Sequence, residues 1–177
     1  AQDDCFMNIA QYLKVKVGDC DTLLHISSTY STLHYPYQCD MVRVGLGLYG
    51  YEGKDNSNLL PAKFITAEVV AKKIVKQGEK IGYDGAYCAE KDIGIAIINM
   101  GYSNGLIRSV ADSDFKVKIG EIYAKFVGKI CMNCCTVDIS ENFDKIEIGS
   151  EAEFLTDKYN FAKSNIGAIY ELLCSFR

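Results

Sequence analysis

A mainly β fold, a barrel or sandwich of short strands preceded by βα units, is what the sequence predicts. Three observations predict it. Residues 62–155 hold several short apolar runs at close intervals, FITAEVVAKKIVK, DIGIAIINM, FKVKI, IYAKFVGKICMNCCTVDI and KIEIGSEAEFL, which argue for a closed or two-layered all-β domain. Residues 1–51 instead alternate helix-like and strand-like pieces, the signature of βα units with a parallel sheet. Between them, EGKDNSNLLP (52–61) is polar and ends in one of only two prolines, which marks a linker.

Each element follows from its pattern. Phe6, Ile9, Ala10 and Leu13 fall at helical spacing. TLLHIS (22–27) is a short apolar strand followed by the hydroxyl-rich turn SSTYST. DMVRVGLGLYGY (40–51) is a β-branched, apolar run that predicts a strand buried on both faces. Beyond the linker, Ile119-Gly120-Glu121 suits a tight hairpin. NFAKSNIGAIYELLCSF (160–176) predicts a closing helix. There is no internal repeat and no low-complexity tract.

Composition excludes several classes. In 177 residues, 19 basic against 23 acidic side chains give a net charge of -4 and no basic stripe, which argues against nucleic acid as a partner. No run of about 18 apolar residues exists to span a membrane, and AQDDCFMNIAQ lacks the basic-then-apolar order of a secretory signal. A cytoplasmic protein is expected. Eight cysteines are spread through the chain rather than clustered as a stapled scaffold, which favours reduced, partly buried thiols, although an even count permits a disulfide.

Cys131-Met132-Asn133-Cys134-Cys135 contains a CxxC spacing. A zinc site needs two more ligands, yet the chain has no second CxxC and only two histidines, so no metal is expected. A redox pair favours the start of a helix, whereas KFVGKICMNCCTVDI reads as continuous strand with buried cysteines. His25 lies in an apolar strand, where a hydrogen-bonded core histidine is the ordinary reading and an acid–base role the sharper one. His34, beside Tyr35-Pro36, reads as surface. Thr29, Arg43, Gly45 and Gly47 leave two readings open: hydroxyls and bare amides for a phosphate, or glycines that let elements pack closely. GYSNG (101–105) reads as a β-turn. GEKIGYDGAY (78–87) reads by itself as a glycine-flanked turn holding Tyr83.

Taken in order, HISST (25–29), DMVRVGLGLYGY (40–51), GEKIGYDGAY (78–87), MGYSNGLIR (100–108), VGKICMNCCTVDI (127–139) and IYELLCSF (169–176) resemble the pyridoxal-phosphate alanine racemases. The likeness covers nearly the whole chain, and the 19 residues from Tyr83 to Tyr102 match the spacing of that family's two active-site tyrosines. The resemblance implies the last βα units of a (β/α)8 barrel (1–51) followed by a C-terminal β-barrel or sandwich-like domain (62–177). It implies pyridoxal 5'-phosphate as cofactor, an amino-acid substrate, with alanine expected, and a homodimer whose active site is shared between subunits. It also implies a product that serves peptidoglycan precursors.

Residue by residue, Tyr83 matches the tyrosine that exchanges the α-proton on one face of the substrate. Arg43 matches the arginine facing the pyridine nitrogen. Thr29 stands where the family has a phosphate-binding serine, with Ser28 beside it, and Gly45, Leu46 and Tyr170 match other phosphate contacts. Tyr102, Met132 and Asn133 match residues at the substrate entrance. GYSNG replaces the usual GYADG, and Asn133 stands where an aspartate is expected, so serine or another amino acid competes with alanine as substrate. GAIYE around Tyr170 is one residue shorter than the family pattern. The block with the lysine that carries the cofactor does not occur, so the sequence reads as a piece of a longer or split polypeptide, not expected to hold the cofactor covalently and inactive by itself. A non-catalytic β domain for assembly or ligand binding on a racemase scaffold is the alternative.

Overall fold

The computed structural model describes residues 2–18, 22–36, 39–52, 58–154 and 169–176. Two compact units emerge, Ala1–Ala62 and Lys63–Arg177.

In the first unit, helix α1 spans Gln2–Val17. It ends at Gly18, whose left-handed φ of 77° lets its N–H return to the Lys14 carbonyl. Strand β1 (His25–Ser28), helix α2 (Thr29–His34) and strand β2 (Met41–Arg43) follow, and β1 and β2 pair in parallel. This is the strand–helix–parallel strand order that the sequence predicts. The run 40–51 is not one buried strand, however. β2 stops at Arg43 with an exposed–intermediate–exposed pattern, and Leu46–Tyr49 forms a 3-10 turn. Gly45, in helical backbone, and Gly50, at φ 86°, end the extended conformation. Of the linker, residues 53–57 lie outside those described.

The second unit is antiparallel. Strands β3 (Thr66–Val75), β6 (Ile93–Ile98), β7 (Lys116–Ile119), β8 (Ile122–Lys125), β9 (Cys135–Asp138) and β10 (Glu151–Glu153) form one sheet in the order β8-β7-β10-β3-β6-β9, while β4 (Lys80–Ile81) and β5 (Tyr87–Cys88) make a separate hairpin. The sheet's two edges meet: Phe126, following β8, bridges Val137 of β9, and Val127 N–H donates to the Thr136 carbonyl at 2.9 Å. Closure makes the sheet a barrel and removes its open edges. A register shift between Val69 and Ala71 bends β3, as closure demands.

The continuous apolar run of β6 has a specific cause. One face looks into the barrel and the other is covered by the 3-10 segment Ser140–Lys145. There Ser140 Oγ accepts from Gly94 N–H at 3.0 Å, and Phe143 lies where a Cβ on Gly94 would sit. Lys72 spans the same segment, donating to the Phe143 and Ile146 carbonyls at 3.0 and 2.7 Å. β7 and β8 join through Gly120-Glu121, with a positive φ at the first position alone, as a Gly-X hairpin turn requires.

Two predicted strands are shorter than their sequences suggest. KFVGKICMNCCTVDI is broken: residues 127–134 form a loop, and only Cys135 is a buried strand cysteine. Gly128, at φ 72°, cannot continue a strand. Among the described residues of KIEIGSEAEFL, Glu151–Glu153 alone is strand. Ser150 turns the preceding chain by donating its N–H to the Glu147 carbonyl and accepting the Glu147 N–H at Oγ. The closing helix α3 covers Ile169–Ser175, and residues 160–168 lie outside those described. Leu173 and Phe176 bury its end, and Lys63 donates to the Leu173 and Phe176 carbonyls at 2.7 and 3.2 Å, a cation at a helix C-terminus.

Candidate functional site

In the first unit the predicted hydroxyls and amides converge. Thr29 is buried at the start of α2, and its Oγ1 accepts from Gly47 N–H at 3.1 Å and Gly45 N–H at 3.3 Å. The approach needs glycine at 47, where a Cβ would lie 2.9 Å from Thr29 Cγ2. At Gly45 a Cβ would meet nothing within 4 Å, so the cradle is open there. Leu46 lies between these two amides. Both amides are given to Thr29 here, and a phosphate that accepts from them and from the hydroxyl would take these bonds over. Ser28, exposed at the end of β1, accepts Thr32 Oγ1–H at its carbonyl. The Tyr170 side chain lies outside the described residues.

Arg43 sits opposite Ser28 in the β1–β2 register. Its Nη1 donates to His25 Nδ1 at 2.8 Å and to the His25 carbonyl at 3.0 Å. A guanidinium only donates, so Nδ1 is the acceptor and the ring proton sits on Nε2. These bonds fix Arg43 through one nitrogen and leave its others for a ligand. His25 is therefore an exposed orienting partner of Arg43, not a core histidine, because it opens a two-stranded sheet instead of lying inside one. His34 is exposed as expected, 3.0 Å from Glu52 Oε2.

In the second unit Tyr83 occupies the tip of the β4–β5 hairpin. Gly82 has φ 80° and ψ 179°, a conformation open only to glycine, and Asp84 (φ 64°) and Gly85 (φ 60°) are left-handed. Such a loop turns sharply and fixes the direction of the one side chain between the bends. Behind it, Val75, Ile81, Ala89, Ile93, Ile95 and Val127 form a core cluster with Tyr87 packed on it. Burying each larger aliphatic member stabilises the hairpin's attachment by about 2 kcal/mol. Gly82 and Gly128 let the hairpin backbone approach the 128–129 segment, and Lys129 Nζ lies 3.5 Å from Asp84 Oδ2. Tyr83 itself is 74% exposed. A rigid platform thus presents a phenol outward.

Tyr102, Met132 and Asn133 are brought together by two docked loops. Tyr102 N–H donates to the Cys131 carbonyl at 3.1 Å and Ser103 N–H to the Met132 carbonyl at 2.9 Å. Ser103 Oγ lies 2.7 Å from both the Met132 carbonyl and Asn133 Oδ1. A hydroxyl has one proton, so it serves the Met132 carbonyl while the Asn133 amide, turned to present its NH2, donates to Ser103. An aspartate at 133 has no such donor, so Ser103 and Asn133 are suited to each other. Asn104 accepts Gly101 N–H at 3.1 Å, which makes it a turn-former rather than a substrate-facing group.

The sequence reading did not assign Arg108 or Lys129. Arg108 lies over the Tyr102 ring, 5.9 Å from its centroid. It lines a cleft of about 320 Å³ with Tyr102, Ser103 and Ser175, and with Lys129, Asp112 and Tyr87 it also lines another of about 630 Å³. Lys129 also faces Asp84, which leaves Arg108 as the cation suited to a ligand bearing a carboxylate. The signal in the sequence was an arginine six residues past Tyr102. Among the described residues no group of histidine, cysteine and acidic side chains could hold a metal ion, and no helix is long and apolar enough to cross a membrane.

Comparison with known proteins places the chain beside one family. The family described as alanine racemase, C-terminal domain, matches residues 63–177, and alanine racemase, N-terminal domain, matches residues 1–53. An alanine racemase of Borreliella burgdorferi (strain ZS7) is 35% identical over 162 residues, covering 86% of this chain and 43% of the relative. A serine/alanine racemase of Enterococcus gallinarum is 31% identical over 159 residues, covering 86% of this chain and 23% of that protein. The solved alanine racemase of Clostridium difficile 630 superposes with a TM-score of 0.81 at 25% identity, over 97% of this chain and 47% of its own. The chain thus spans less than half the length of these relatives.

Proposed function

The chain belongs to the alanine racemase family, and from that premise we propose that it is the C-terminal part of a cytoplasmic isomerase interconverting L- and D-alanine. The product supplies peptidoglycan precursors. Residues 1–51 are the last βα units of a (β/α)8 barrel, and residues 62–177 are the β domain that a second subunit uses to complete the site in a homodimer. The observation that carries this reading is the Tyr83 hairpin, a glycine-built platform that presents one phenol to solvent.

Pyridoxal 5'-phosphate, when bound, supplies the electron sink that makes the hydrogen on the substrate's α-carbon acidic. Thr29, Ser28, Gly45 and Leu46 would hold its phosphate, with Tyr170 expected there from the family pattern. Arg43 would face the ring nitrogen and, never giving up its own proton, would keep that nitrogen unprotonated. Tyr83 moves the proton at the substrate's α-carbon on one face, acting as base for one enantiomer and acid for the other. Tyr102, Met132 and Asn133, with Arg108 and Lys129 beside them, line the approach, and Arg108 orients the substrate carboxylate.

The test is racemisation by the full-length protein, followed by circular dichroism from either enantiomer of alanine and of serine. Turnover of alanine supports the proposal. Absence of turnover with any amino acid would leave a non-catalytic domain. The serine arm has its own motive, because the neutral Ser103–Asn133 pair favours a substrate hydroxyl over the carboxylate-lined entrance of the family. A narrower expectation concerns the cofactor. Thr29→Val keeps volume but removes the hydroxyl that receives the Gly45 and Gly47 amides, so the full-length protein should bind pyridoxal 5'-phosphate roughly tenfold more weakly, as the loss of a charge-assisted hydrogen bond implies. Absorbance titration with the cofactor measures it.

A further inference from the structure

Because residues 127–134 form a loop rather than a strand, the CxxC spacing becomes a turn with a cysteine at each end. The Cys131 N–H donates to the Cys134 carbonyl across Met132-Asn133 at 2.9 Å. A chain that folds back over two residues holds its flanking Cα atoms within about 7 Å, at the reach of the roughly 4.4–6.8 Å that a disulfide spans. Both side chains are half-buried, within reach of a small reagent, and the Cys131 thiol lies 3.9 Å from the Lys129 carbonyl, to which it donates. Neighbouring Cys135 is only 1% exposed, fixed in β9. We propose that Cys131 and Cys134 form a reversible disulfide, an oxidation site that closes the turn carrying Met132 and Asn133.

The step balances with a low-molecular-weight disulfide as oxidant. The Cys131 thiolate attacks one sulfur of the reagent, breaks its S–S bond and releases one thiolate. The Cys134 thiolate then attacks the Cys131 sulfur of the mixed disulfide and releases the second. Two electrons pass from the protein sulfurs to the reagent, and the two cysteine protons leave on the two released thiols. Burial, then the nearby Cys131, push the Cys134 thiol up, which suits the second, resolving role. Stronger burial pushes Cys135 up further and keeps it out of the exchange. The Met132 carbonyl is the anchor for the Ser103 N–H and hydroxyl, so bridging the turn fixes the loop that holds Tyr102 in register. That last consequence rests on the function proposed above; the disulfide does not.

Peptide mapping tests it without any activity assay. The full-length protein is incubated with oxidised glutathione, alkylated and digested with trypsin. The peptide 130–145 contains Cys131, Cys134 and Cys135 and no other cysteine. The expected product has lost two hydrogens, carries one alkyl group, and returns to three alkylated thiols after dithiothreitol. Cys135→Ser should keep the two-hydrogen loss, and Cys131→Ser and Cys134→Ser should abolish it. Three alkylated thiols in the treated wild-type protein, or a two-hydrogen loss that survives in Cys134→Ser, would overturn the proposal. The mapping holds even where the enzyme proves inactive, so failure here is separable from failure of the racemase reading.

Discussion

Tyr83→Phe in the full-length protein is expected to slow alanine racemisation at least ~100-fold in both directions, the lower end of what a positioned proton-transfer group contributes. The substitution removes one oxygen and nothing else. The ring is 74% exposed, and no group among the described residues hydrogen-bonds the phenol, so stability should stay within about 0.5 kcal/mol. Both directions fall because the proton crosses the Tyr83 face once in each. Exchange separates this role from a structural one. In deuterium oxide, the enantiomer deprotonated by the opposite group should still take up deuterium at the α-carbon without inversion, while the other should not. Unchanged racemisation of both enantiomers, with the melting temperature also unchanged, would remove Tyr83 from the mechanism.

Why Tyr83 was legible only by register, and not from its own decapeptide, is a matter of what glycine encodes. GEKIGYDGAY announces positive-φ positions, and the structure holds them at Gly78, Gly82, Asp84 and Gly85. It does not announce that Ile81 and Tyr87 bury against β3 and β6 and so fix the direction of the tip. Strands were read well where β-branched residues ran without an intervening glycine turn, as at Thr66–Val75, or where the apolar run was uninterrupted, as at Ile93–Ile98. Apolar runs misled where glycine or hydrogen-bonding side chains overrode them. Residues 40–51 have strand-like side chains but three glycines that break the backbone, and residues 127–134 are apolar because the loop packs its Val127 and Ile130 inward. Arg108 and Lys129 were missed for another reason: they meet in one cleft only through the closed barrel, and no local pattern brings 108 to 129.

A large structural effect should come from Gly101→Ala. Its φ of -139° is open to any residue, so the constraint is contact alone. A Cβ at 101 would overlap the carbonyl oxygens of Met132 and Cys131, backbone atoms that cannot rotate away as a side chain can. Relief requires the two loops to separate, which gives up the Tyr102 N–H and Ser103 N–H bonds to those same carbonyls. Overpacking costs about 1–3 kcal/mol and each lost hydrogen bond about 1 kcal/mol, so the melting temperature of the domain should fall by on the order of 10 °C. Gly149→Ala supplies the contrast. There φ is 91° but a Cβ would meet nothing within 4 Å, so only backbone strain of about 1–2 kcal/mol opposes alanine. If the reading is right, the two variants differ in kind as well as size. Gly149→Ala melts somewhat earlier with substrate affinity unchanged, whereas Gly101→Ala also raises the KM for alanine, because Tyr102 and Met132 are held in place by the bonds it breaks. Equal melting temperatures, or a Gly101→Ala protein with an unchanged KM, would show that the loops tolerate separation and that the entrance is positioned by something other than this contact.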